Sequence, residues 1–124
     1  MTVLDMFHEF RTEFPEVTQK ADVEHIELWD EVNPDFAHAW FESLAGAINV
    51  EMAKDVPADR YQPIFEFLRK KYHVGNDVIS TCIDVSFVEN LFWRVPTRKA
   101  QPYWTALPEV FRDLYQSFHQ TTPV

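Results

Sequence analysis

The 124 residues suit one domain, large enough to bury about two-thirds of its unfolded surface without a disulfide or metal staple. A hydrophobic fraction of 46%, with 11 Phe and 4 Trp, excludes intrinsic disorder, and the presence of only two glycines, Gly46 and Gly75, argues against a fold of many tight hairpins. The net charge of −9 falls on the first half, where residues 1–60 hold 14 Asp and Glu against 4 Lys and Arg. That balance disfavours nucleic acid or an anionic membrane as a partner and fits either plain solubility or a basic protein surface.

The pattern predicts an all-α domain of five or six helices. Thr2 is placed to cap the first, with Asp5 as its capping-box partner, and Val3, Met6, Phe7, Phe10 and Phe14 form its apolar face. Pro15 ends that helix and opens the next, predicted over 16–31 with Val17, Ala21, Ile26 and Trp29 as its apolar positions. Asn33 caps a third helix in which Phe36, Trp40, Leu44, Ala47 and Ile48 make one stripe, while Asp35, His38, Glu42 and Asn49 fall on the opposite side. A loop spanning Asp55 to Asp59 leads to a fourth helix through Ile64, Phe65, Leu68 and Tyr72, closed by Arg69, Lys70, Lys71 and then Gly75.

The fifth helix, about 77–92, carries Val78, Ile79, Cys82, Ile83, Val85, Phe87, Val88, Leu91 and Phe92. With almost no polar face, it is predicted to be the central helix of the bundle. Pro96 and Pro102 mark an expected loop containing Arg98 and Lys99, before a last helix through Val110, Phe111, Leu114, Tyr115 and Phe118. No repeat or linker divides the chain, so 1–124 reads as one domain.

The lone cysteine, Cys82, sits in an apolar run and forms no internal disulfide, which fits a reducing, cytoplasmic location. The opening stretch has no basic segment followed by an apolar run, so no secretion signal is expected, and no run reaches the roughly 18 apolar residues of a membrane span. Asp22 with His25, and Asp35 with His38, have the three-residue step that carboxylate–histidine metal sites use. Asp is short for that role, however, and the second pair lies on the predicted solvent side, so no metal or cofactor is expected. Nor does Cys82 have a glycine-rich turn or oxyanion-hole pattern beside it, so no catalytic residue is assigned.

The strongest binding candidate is the tract Asp22, Glu24, Glu27, Asp30, Glu31 and Asp35, which contains no Lys or Arg and surrounds Trp29. Either it is a partner surface anchored on Trp29, or it is a solvated helix with Trp29 turned inward. Asp55 and Asp59 are a secondary acidic candidate. Asp84, Glu89 and Asn90 interrupt the most apolar segment and must reach water or backbone donors; Glu89 and Asn90 are assigned a structural role, capping a neighbouring helix or tying down the Pro96 loop.

The run Asp84-Val85-Ser86-Phe87-Val88-Glu89-Asn90-Leu91, together with Phe14-Pro15-Glu16, resembles a family of small bacterial helical proteins, some of which look like immunity proteins of contact-dependent growth inhibition systems. The resemblance implies a non-catalytic cytoplasmic protein whose partner is a cognate toxin domain with a basic surface, a nuclease being the expected kind. Two other readings stay open. One is a small enzyme using Cys82 or a histidine–carboxylate site, and the other is a homo-oligomeric adaptor joined through Trp93, Tyr103 and Trp104.

Overall fold

In the computed structural model, which describes residues 1–124, helices account for 79% of the chain and there is no strand. Seven α-helices follow in order: α1 Val3–Glu13, α2 Pro15–Trp29, α3 Ala37–Ala53, α4 Gln62–Val74, α5 Asp77–Thr81, α6 Thr97–Ala106 and α7 Glu109–His119. The Thr2 and Asp5 capping box forms at the start of α1, with both reciprocal hydrogen bonds present at 3.0 and 2.8 Å. Asn33 accepts from the Asp35 N–H at 2.9 Å and opens a 3-10 turn, Pro34–Phe36, that feeds α3.

The centre of the bundle is α3 rather than the segment 77–92. Trp40, Phe41, Leu44, Ala45, Ile48 and Met52 are all sealed from solvent, and the helix packs mainly on α2 and on the segment after α5. Around its N-terminal half, Phe7, Phe10, Trp40, Phe41 and Phe67 meet in edge-to-face contacts with centroids 5.2–6.2 Å apart. Phe36, placed by the sequence in the α3 stripe, lies ahead of the helix in the 3-10 turn and is exposed.

The expected fifth helix is divided among three helical geometries: the short α5, a π segment Cys82–Phe87, and a 3-10 turn Val88–Asn90. Changing the residues per turn changes which side chains face inward. Ile79, Cys82, Ile83, Phe87 and Val88 remain in the core while Val78 and Val85 point to water, so the segment is not apolar on every side. Asn76 caps α5, accepting from the Ile79 N–H at 3.1 Å. Gly75 is required by close approach and not by a left-handed backbone: a Cβ there would lie 2.5 Å from the Lys71 carbonyl oxygen and 2.7 Å from Ile79 Cγ2.

Residues 97–106, expected as loop, form α6 with Pro102 inside it. A proline removes one helical hydrogen bond, and burial of Ala100 and Tyr103 outweighs that loss, with the Tyr103 hydroxyl donating to the Val56 carbonyl at 2.6 Å. Lys99 meanwhile reaches back to the end of α3, donating to the Ala53 carbonyl at 2.8 Å and pairing with Asp55 at 2.7 Å. No helix is long and apolar enough to cross a membrane.

Candidate functional site

The inward stripe of α2 is Thr18, Ala21, Asp22 and His25, small and polar side chains at helical spacing. Asp22 takes two hydrogen bonds from the Arg11 guanidinium, both 2.8 Å, and a third from Trp40 Nε1, also 2.8 Å. Partial burial works against the Asp22 carboxylate, but the bonds from Arg11 and Trp40 outweigh it and hold its pKa below the ordinary value. Asp22 therefore locks α1, α2 and α3 together and leaves the partner-facing tract in which the sequence placed it.

One turn on, the His25 ring lies buried with Nδ1 2.8 Å from the Ser43 hydroxyl. Burial pushes the His25 pKa down, against the opposing pull of Asp22 and Glu42. Trp29 is the last member of the same stripe, its ring tilted over His25 at a centroid separation of 6.2 Å. It runs past the covered part of α3 and is 51% exposed. Ile26, expected on the apolar face, is exposed as well.

The remaining faces of α2 mix apolar and acidic side chains in the open. Val23, Ile26, Leu28 and Trp29 are exposed, with Glu27, Asp30 and Glu31 among them and Glu24 half-buried. The ion pairs of the protein are Arg11–Asp22, Lys20–Glu51, Arg69–Glu66, Lys71–Glu9 and Lys99–Asp55, so Glu24, Glu27, Asp30, Glu31 and Asp35 have no cation within 4 Å. Asp30 ends α2 in the left-handed region, φ 67°, its N–H bonded to the Ile26 carbonyl at 2.8 Å.

Alongside Leu28, a cavity of about 480 Å³ opens between α2, α3 and the turn after the 3-10 segment. Glu24 and Leu28 form one wall, Gly46 and Asn49 the floor, and Trp93 the other wall, with Glu42 and Asn90 at its margins. The turn holds Phe92 and Arg94 at φ 68° and 56°, left-handed backbone on either side of Trp93, which is 68% exposed. Buried Asn49 anchors it, accepting from the Phe92 N–H at 2.7 Å and donating to the Asn90 carbonyl at 2.9 Å. The sequence placed Asn49 on the solvent side; its polar contacts to a distant turn explain why an amide occupies a buried position.

The segment Asp84–Leu91 is the scaffold of this turn. Phe87, Val88 and Leu91 fill the core, and the Asn90 side chain donates to the Ser86 carbonyl at 2.9 Å. His119 of α7 meets the Glu89 carbonyl at 3.0 Å. Asp84 and Glu89, both half-buried, have carboxyl pKa values raised by burial, Glu89 also by the nearby Asp84 charge and against a smaller opposing pull from His119.

The other acidic candidates lie apart from this region. Asp35 sits in the 3-10 turn at the N-terminal end of α3, near Glu31 in the chain. Asp55 follows the C-terminal end of α3, about 25 Å away along a 17-residue helix. Its engagement with Lys99, which lowers its pKa, removes it from a free acidic surface. Asp59 is exposed and lines a separate cleft with Gln62, Glu66 and Glu109. Asp35 and His38 are both exposed, Asp22 and His25 serve internal contacts, and nowhere do three His, Cys, Asp or Glu side chains gather in a way that could hold a metal ion. Burial pushes the Cys82 thiol up to about 12, far from a nucleophile's range.

No curated protein and no solved structure matches the chain. A family model does match residues 7–121, nearly its whole length, and the protein belongs to that family, described as Domain of unknown function (DUF7674).

Proposed function

We propose that this protein is an immunity protein that binds a basic toxin domain through the C-terminal half of α2. One observation carries the reading: Ile26, Leu28 and Trp29 are exposed in direct sequence with Glu27, Asp30 and Glu31, and none of those carboxylates is neutralised. Exposed apolar side chains grouped within a charged frame are the composition of a binding surface. Unpaired acids steer a basic partner into encounter and leave the apolar groups to hold it. A nuclease fits this description because its cleft must be positive to hold phosphates. The reading places the protein in the bacterial cytoplasm, where the toxin would act, and assigns it no catalysis.

The test is association kinetics with the cognate toxin domain, for the wild type and for Glu27→Lys, Asp30→Lys, Glu31→Lys combined. Exposed charges contribute below about 1 kcal/mol each to folding, so the variant stays folded while its association rate falls at least about tenfold. Salt lowers the wild-type rate in the same direction by shortening the Debye length from roughly 8 Å. An unchanged, salt-insensitive rate overturns the reading.

A further inference from the structure

We propose that the groove between α2 and the Trp93 turn receives a single arginine side chain of the partner, its guanidinium stacked on Trp93 and bonded to the carboxylates of Glu24 and Glu42. The inference rests on the reading of the chain as a protein-binding module and adds the chemistry of the contact. Three independent features converge on a planar cation. The Glu24 carboxylate hangs over the floor, with Oε2 3.8 Å from the position a Cβ on Gly46 would take, and neither Glu24 nor Glu42 has a cation of the chain within 4 Å.

The walls are Leu28, 67% exposed, and Trp93, and the floor at Gly46 carries no side chain, so the trough is open to a long, thin group. The Arg94 guanidinium, which makes no ion pair, lies 5.2 Å from the Trp93 ring centroid, so the ring already holds one planar cation and the partner's arginine takes the face that Arg94 leaves free. Arginine suits this site better than lysine because its flat group stacks on an aromatic face while its forked N–H donors engage carboxylates. The turn that presents Trp93 is fixed by Asn49 and held in left-handed backbone at Phe92 and Arg94, so the wall is set before any partner arrives.

The test uses the whole protein and three capped tripeptides, Gly-Arg-Gly, Gly-Lys-Gly and Gly-citrulline-Gly, titrated while the Trp93 indole and Gly46 amide resonances are followed. The arginine peptide should shift both saturably, with a dissociation constant on the order of 1 mM. The lysine peptide should bind several-fold more weakly, and the uncharged citrulline peptide should give no saturable shift. Glu24→Gln should weaken arginine binding at least fivefold, and Gly46→Leu, whose side chain fills the trough without a clash at Cβ, should abolish it. Equal binding of citrulline, shifts elsewhere on the surface, or no saturable shift with arginine would each overturn the proposal. The outcome is separable from the toxin experiment: arginine bound in the groove while the triple lysine variant associates normally keeps the pocket and removes the α2 encounter surface, and the converse result removes the pocket alone.

Discussion

Replacing Asp22 with alanine should separate a structural acid from the surface acids around it. The substitution removes both bonds from Arg11 and the bond from Trp40 Nε1. Trp40 is 1% exposed, so its indole N–H loses its partner inside the protein, at about 1–3 kcal/mol. The ion pair adds less, at most about 1 kcal/mol, because Arg11 and Asp22 are 30% and 21% exposed and water screens them. The sum, roughly 1–4 kcal/mol, corresponds to a fall of about 4–15 °C in the unfolding midpoint for a domain of this size.

Asp22→Asn keeps Oδ1 as the acceptor for the indole but loses the charge and, with it, the Arg11 bond to Oδ2, an exposed-side interaction whose loss should cost about 1 kcal/mol. Urea unfolding followed by tryptophan fluorescence measures both. The pKa of Asp22 is lower in the folded than in the unfolded state, so its contribution is fully present above the unfolded value near 3.9 and is lost as pH falls through the folded one. Wild type and Asp22→Asn should therefore converge in strong acid. Equal stability of the alanine and asparagine variants would refute the role given to the indole bond.

Asn49→Ala should lose about 2–3 kcal/mol, since it leaves the Phe92 N–H and the Asn90 carbonyl unpaired, and hydrogen exchange at Phe92 should quicken; native-like protection there would show the anchor to be dispensable. His25 has its pKa pushed down by burial, so below about 6.5 the unfolded chain binds a proton that the folded one refuses, and stability should fall from that pH toward the folded value. His25→Gln should flatten that slope, and an unchanged slope would assign it to another group. Cys82, with its thiol raised to about 12, should resist a thiol reagent at pH 8 until the protein unfolds, and rapid native labelling would contradict its burial.

Where structure depended on neighbours in the chain, the sequence was readable. The Thr2 and Asp5 capping box and the Asn33 cap are contacts over three residues or fewer, and both formed. The all-α class followed from apolar spacing and the scarcity of glycine. Long-range pairing was not readable: Asp22 looked like its acidic neighbours because Arg11 and Trp40 come from other helices, 11 and 18 residues away. Two prolines hid α6, since proline counts against a helix locally while Ala100 and Tyr103 favour it through burial. Trp93 was legible only as a possible oligomer contact and not as a neighbour of α2, because its turn uses left-handed Phe92 and Arg94 where glycine would have marked it. Asn49 and Asn90, two amides among apolar neighbours, were the available clue to that turn.

A π turn is what a helix forms when it takes in one additional residue and keeps its downstream packing in place. In Cys82–Phe87 the half-exposed Val85 is the residue most easily spared, while Cys82, Ile83 and Phe87 stay in the core. Deleting Val85 would let the segment close an ordinary α turn and still bring Phe87, Leu91 and Trp93 to the same positions. A deletion of the same size within α3 would instead swing Gly46 and Asn49 about 100° around the helix axis, removing both the floor of the groove and the anchor of its wall. The bundle should thus tolerate the loss of a residue in one helical segment and not in the other.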